Sequence, residues 1–406
     1  MTQRPHHEAE AGDDVVLLAV GDLHPSPHQD AKEIYAHCAD LLRAGDITFA
    51  QLEVLFTEKG TLQSFPSARW FVRLPSADAS SLSHAGFDVV SCASNHAGDW
   101  GNEALLDSIG QINSQGVLTA GAGSDLQQAR QPAILERGGT RVAFLAYTSV
   151  APPGCYALPD KPGIAPMRAS TYYEPLDGQP GTPPRVVTIP VAEDLEAIVE
   201  DVRQVRESAD VVIVSLHWGV HFVPKEIAEY QPIVAHAVID AGADLILGHH
   251  PHILKAVETY KEKVIFYSIG NFARGSNRAH WGDKDRLRRQ GRHRAMSDNY
   301  QYTALRLLRA DPAIQALEAD YDSVDTTDHT VKTVIVKALI RDGTIKRVSF
   351  LPTWIINDRT QPLPLDRSDP RFGEVVDYFD WVSSEFPHKF SVDGNEVVVE
   401  TTGFDA

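Results

Sequence analysis

Apolar residues along this chain gather in short unbroken runs separated by stretches with helical spacing. Residues 15–20, 46–50, 87–92, 141–147, 210–215, 243–247 and 263–267 are such runs. A run of this kind predicts a strand covered on both faces. Helices are expected near 31–43, 76–84, 102–114, 124–130, 193–207 and 226–240, and a further strand near 133–136. The alternation predicts an α/β fold with parallel strands. It is interrupted by an excursion over 57–70 and by residues 151–185, where nine prolines rule out helix and central strand over most of the stretch. Beyond residue 300 the pattern changes to strands near 301–308, 332–340 and 345–351, a helix near 371–385 and a hairpin around 390–400. Turns such as Asp342-Gly343 favour antiparallel pairing there.

The expected organisation is a disordered tail over 1–14, a main domain over 15–355, and an extension over 356–406 packed on the same domain. Within the main domain, 151–185 is expected as a loop over the site and 278–298 as a basic loop.

Five predicted strands end in residues suited to chemistry: Gly21-Asp22-Leu23-His24, Gln51-Leu52-Glu53, Ser94-Asn95-His96, Leu216-His217-Trp218-Gly219 and Gly248-His249-His250-Pro251-His252. Strand ends are where α/β folds place their sites. Three imidazoles within four positions cannot all face a core, because each neutral ring keeps a donor and an acceptor to satisfy. A metal resolves that conflict. Asp22 and His24 stand two apart and can reach one ion if the backbone turns after Gly21; otherwise Asp22 caps the following helix. Glu53 ends an apolar strand, where a carboxylate is costly unless paired or metal-bound.

A formal charge of −18 argues against a nucleic-acid surface. Against that background, 283–294 carries six basic residues, among them Arg292, and two acidic ones, an anion-binding island or a solvated loop. Cys38, Cys92 and Cys155 are widely spaced and read as free thiols. No stretch suits a signal peptide or a membrane span, so a cytoplasmic location without membrane contact is expected, and a homo-oligomer is compatible with the sequence.

Together, Gly21-Asp22, Gln51-Leu52-Glu53, Ser94-Asn95-His96 with Asp99 and Gly101, His217-Trp218-Gly219, His250-Pro251-His252 and Ser268-Ile269-Gly270-Asn271-Phe272 resemble the CapA family over residues 15–275. That family is named for poly-γ-glutamate capsule biosynthesis and belongs to the calcineurin-like metallophosphoesterase superfamily. The resemblance implies a four-layer α/β/β/α sandwich with two divalent metal ions. It implies that Asp22, His24 and His252 hold one ion and that Asn95, His217 and His250 complete the second. Glu53 occupies the place of a bridging carboxylate, and His96 remains as acid or charge stabiliser. His221 stands where the family tends to have Glu, and His249 adds a third ring, so the choice among neighbouring histidines stays open. His221, Asn271, Arg274 and Arg292 are expected at the substrate.

Oxygen and nitrogen ligands without thiolate suit Mn, Fe or Zn. The leading expectation is a dinuclear hydrolase that directs a metal-bound hydroxide at a small anionic substrate. An amide or lactone bond is favoured because the family is associated with a γ-linked polyamide. Two alternatives are a phosphodiesterase or phosphatase, and a non-catalytic accessory protein of capsule synthesis.

Overall fold

Each apolar run folds as a strand whose alternate residues serve two different layers. The computed structural model describes residues 14–25, 30–63, 73–175, 184–274, 329–356 and 360–403. In Val15–His24 (β1), Val15, Leu17 and Ala19 join one core while Leu18 and Val20 join another, and all five are buried. Ile47–Leu52 (β2), Val89–Ser91 (β3) and Leu118–Ala120 (β4) follow in parallel beside β1.

A second sheet is laid down next. It comprises Ala133–Arg137 (β5), Thr140–Thr148 (β6), Val211–His217 (β7), Leu245–His249 (β8), Val257–Tyr260 (β9) and Lys263–Phe266 (β10), in the order β9-β10-β8-β7-β6-β5. Its four inner strands are parallel, and β5 and β9 close its edges as antiparallel hairpins.

The chain then returns to the first sheet. Asn271–Arg274 (β11) lies parallel to the last residues of β1, and Lys332–Arg341 (β12) lies antiparallel to its first half. Thr344–Ile356 (β13), Gln361–Pro364 (β14), Phe390–Asp393 (β15) and Glu396–Val399 (β16) extend that sheet by antiparallel pairing.

The two sheets pack face to face. Phe49 of β2 stacks on Phe144 of β6 with centroids 5.3 Å apart and planes at 2°, and Ile213, Leu247 and Phe266 share that core with Leu17 and Val336. Outside the first sheet, Asn102–Ser114 (α1) buries Leu105 and Ile112 in the core that receives Leu18 and Val20. Outside the second, Ala192–Arg206 (α2) and Tyr230–Ala241 (α3) bury Ile198, Val202, Val234 and Val238 in the core that receives Val212, Val214 and Ile246. The result is the α/β/β/α sandwich expected of the sequence. Pro370–Ser383 (α4) completes the inter-sheet core, with Phe379 5.1 Å from Phe350 and 6.2 Å from Phe266 between centroids.

Some elements differ from expectation. The helix expected over 31–43 is two short helices, Ala31–Ile34 and Ala39–Ala44. Ile34, Tyr35, Cys38 and Leu42 keep inward spacing across the turn between them, so periodicity cannot show the break. The helix expected from 226 starts at Tyr230, because Pro232 lacks an N–H and fits only a first turn. Starting within the proline-rich stretch and running past its end, Ala169–Pro175 and Pro184–Pro190 form a separate antiparallel ribbon with prolines at its ends. The strand near 301–308, the basic loop 278–298 and the tail before Asp14 lie outside the described residues. Among the described residues, no helix is long and apolar enough to cross a membrane.

Gly21 sits where β1 changes neighbour from β12 to β11. A Cβ there would lie 1.9 Å from the Gly270 carbonyl oxygen, while the adjacent Asp22 N–H donates to that same oxygen at 3.0 Å. Gly21→Ala is therefore expected to destabilise the protein by about 2–3 kcal/mol. Urea denaturation checks this, and an unchanged midpoint would refute the tight packing.

Candidate metal centre

The last residues of β1, β2 and β3 meet those of β7 and β8 at one rim between the sheets. Asp22 belongs to β1, Glu53 follows β2, Asn95 and His96 lie in the turn after β3, His217 ends β7, and His250 and His252 follow β8. Two groups of donor atoms form there, each with all members within 4.8 Å of one another: Asp22, Glu53 and His252, and Glu53, His217 and His250. Glu53 is common to both. Its Oε1 lies 3.2 Å from His217 Nε2 and its Oε2 3.8 Å from His252 Nε2. Asn95 Oδ1 joins the second group, 2.8 Å from His217 Nε2.

The chemistry of this donor set fits divalent cations. Asp22 Oδ1, both Glu53 carboxylate oxygens, and Nδ1 of His217 and His250 are buried without a hydrogen-bond partner. Buried carboxylates of that kind are costly by several kcal/mol unless a counter-charge meets them, and a buried ring nitrogen without a partner is costly as well. Protonation points the same way. Burial raises the pKa of Asp22, but the rings of His249 and His252, with Nδ1 atoms 3.5 and 3.3 Å from its oxygens, outweigh it and hold the carboxyl well below the usual range. Glu53, raised by burial and by Asp22, is drawn down to about 2 by His252 and His217. Burial pushes His250 well below the ordinary imidazole value, helped by His221 and His217, and it also lowers His249. Ionised carboxylates facing neutral rings are the forms that bind metal.

His96 behaves differently. Burial lowers its pKa, yet the Asp99 hydrogen bond and the Glu53 charge more than offset this, and the net shift is upward. Its Nδ1 donates to Asp99 Oδ2 at 2.8 Å.

The His-Pro-His turn carries backbone strain. His250 has φ 95° and His252 φ 60°, left-handed values for non-glycine residues, which cost about 1–3 kcal/mol each and persist only where surroundings enforce them. The enforcement is visible: the His250 N–H donates to Asp22 Oδ2 at 3.2 Å. Behind it, the buried Trp218 stacks on Tyr267 and donates to its carbonyl at 3.0 Å, fixing the residue after His217.

Not every expected residue takes its expected place. His24 is outside both donor groups; it meets His96 edge to face at 5.6 Å, and burial together with the His96 field lowers its pKa to about 4. His249 is also outside them, with Nδ1 3.5 Å from Asp22 Oδ1 beneath the site. His221 stacks at the rim, its centroid 3.7 Å from that of His250 and 5.4 Å from that of His252. Asn271, expected at the substrate, has another task. Its Nδ2 donates to the carbonyls of His252 and Thr330, so its Oδ1 accepts from His252 Nδ1 at 2.8 Å, which leaves Nε2 of that ring for the site. Arg274 pairs with His24 across β1 and β11, and Arg292 lies outside the described residues. The role of Asp99 was missed, although its three-residue spacing from His96 was there to be read.

The sequence profile described as "Bacterial capsule synthesis protein PGA_cap" matches residues 8–276. The chain is 32% identical over 192 residues to the PGA biosynthesis protein CapA of Bacillus subtilis (strain 168), covering 47% of this chain and 43% of that relative. It is 29% identical over 280 residues to the capsule biosynthesis protein CapA of Bacillus anthracis, covering 66% of this chain and 61% of the relative. The chain thus spans less than two thirds of either. Among solved structures it is similar to the calcineurin-like phosphoesterase YfkN from Bacillus subtilis, with 12% identity, a TM-score of 0.41, and coverage of 92% of this chain and 98% of that one.

If cations neutralise the rim, free Mn²⁺ or Zn²⁺ at about 100 times Kd will stabilise the fold by about 2.7 kcal/mol, and Asp22→Asn or Glu53→Gln will abolish most of that gain. Thermal melts with added metal or chelator measure it, and metal-independent melting would rule the centre out.

Proposed function

Because this chain belongs to the bacterial capsule synthesis protein family PGA_cap, we propose that it is a metal-dependent hydrolase with two divalent ions, Mn, Fe or Zn, acting on a small anionic substrate. The observation that carries this reading is the shared carboxylate: Glu53 is 1% exposed, and its two oxygens face histidines of two separate donor groups. An amide bond, or the related lactone, is favoured, because relatives are named for PGA biosynthesis and a γ-linked polyamide is joined by amides.

When bound, the ions supply Lewis-acid polarisation and acidify the water they hold. The chain's own residues do the rest. Asp22, Glu53 and His252 hold one ion; Glu53, Asn95, His217 and His250 hold the other. Asn271 orients His252 through Nδ1, and Asp99 orients His96 the same way. His96 keeps a proton available at Nε2 for the leaving group or for developing negative charge. His221 at the rim and Arg274 at the end of β11 offer cationic or hydrogen-bonding contacts to an anionic substrate.

A second reading, an accessory role in polymer synthesis without catalysis, is favoured by the relatives' names, which describe biosynthesis rather than hydrolysis.

His96→Gln is expected to lower turnover by about 10²–10⁴-fold with metal content unchanged. Assays on γ-glutamyl amides, lactones and an aryl phosphodiester, each with Mn²⁺, Fe²⁺ or Zn²⁺, check this beside elemental analysis. Parallel loss of metal would make His96 a ligand, activity confined to the phosphodiester would replace the amide reading, and full function after chelation would leave the accessory role.

A further inference from the structure

A lysine with no part in the donor groups lies under the loop between β7 and α3. Lys255 is 1% exposed. Its Nζ donates to the backbone carbonyls of Val223 and Glu226, the latter at 2.9 Å, and its backbone N–H donates to the Ser268 carbonyl at 3.1 Å. The loop above it, 219–229, carries His221 against His250 and Phe222 against His252, the latter pair with centroids 5.5 Å apart.

That loop is strained. Gly219 has φ 83°, but Phe222 and Lys225 also have φ 58° and 59°, a conformation that persists in such residues only when contacts on several sides impose it. The Phe222 N–H reaches the Pro251 carbonyl at 3.1 Å, and on the surface Lys225 Nζ reaches Ser384 Oγ at 2.9 Å. Next to these two ties, Lys255 holds the carbonyls of Val223 and Glu226. A methionine would fill the same volume without burying an amine, whose burial is costly unless its protons are used; burial pulls the Lys255 pKa down to about 7 against the opposing Glu226 carboxylate. The carbonyls of Val223 and Glu226 account for its presence.

We propose that Lys255 is a positioning residue, an internal strut that fixes loop 219–229 so that His221 and Phe222 stay against His250 and His252. Its consequence for ligand binding rests on the metal-hydrolase reading above; the mechanical claim does not.

The test is hydrogen–deuterium exchange on the full chain for Lys255→Met and the smaller change Lys255→Gln. Exchange of loop amides in 219–229 is expected to rise by about tenfold or more while strand Leu245–His249 keeps its protection. Lys255→Arg, which retains N–H donors, is expected to recover part of the protection. Unchanged loop exchange in a folded Met or Gln variant overturns the proposal. Loss of the whole fold in both overturns it too, because a strut local to one loop is dispensable to the sheet cores. In parallel, Mn²⁺ stoichiometry is expected to stay the same, and the affinity of Mn²⁺-loaded protein for inorganic phosphate to fall by about tenfold. Wild-type protein that binds neither Mn²⁺ nor phosphate would sink the hydrolase reading, with the exchange data still deciding the strut.

Discussion

Two carboxylates withdrawn from water organise this molecule. Asp22 and Glu53 are 0% and 1% exposed, at the ends of neighbouring parallel strands, and several of their oxygens have no hydrogen-bond donor. Among the rings around them, burial lowers the pKa of His250 and His249. A strand end that delivers an ionised group into such a place is intelligible only with a cation opposite it. His217, His250 and His252 bring ring nitrogens to the same place, Asn271 aims the His252 ring and Asp22 anchors the His250 backbone.

The backbone meets this demand by tight approach. β1 pairs with β12 up to Ala19 and with β11 from Asp22 onward, and the handover is made at Gly21 against Gly270. Gly248 serves β8 in the same way, since a Cβ there would lie 2.2 Å from the Tyr267 carbonyl oxygen. Glycines at these two points let the polar ends of β1 and β8 come together without opening the sheet cores behind them.

Much of this was legible in the sequence, for identifiable reasons. Strands buried on both faces need unbroken apolar runs, and those runs located β1, β6, β7, β8 and β10. Polar residues at the ends of such runs stand out because nothing local explains them, which is how Asp22, Glu53, Asn95, His217 and the histidine cluster were found. What escaped depends on partners distant in sequence. Asn271 looks like a ligand-facing amide until the carbonyl of Thr330, 59 residues away, is seen to take its Nδ2. Lys255 stands inside an apolar run, and nothing local points to the carbonyls it binds, which are 29 and 32 residues away. The break in the first helix was hidden because its inward spacing survives the turn.

Each donor group draws on both halves of the sandwich: Asp22 and Glu53 come from the first sheet, and His217, His250 and His252 from the second. An ion held there therefore acts as a rivet through the seam between two hydrophobic layers. Sliding one sheet past the other by a fraction of a strand spacing would tear the coordination apart, so the centre doubles as a gauge of inter-sheet alignment. Occupancy would couple the melting of the two halves into one cooperative event.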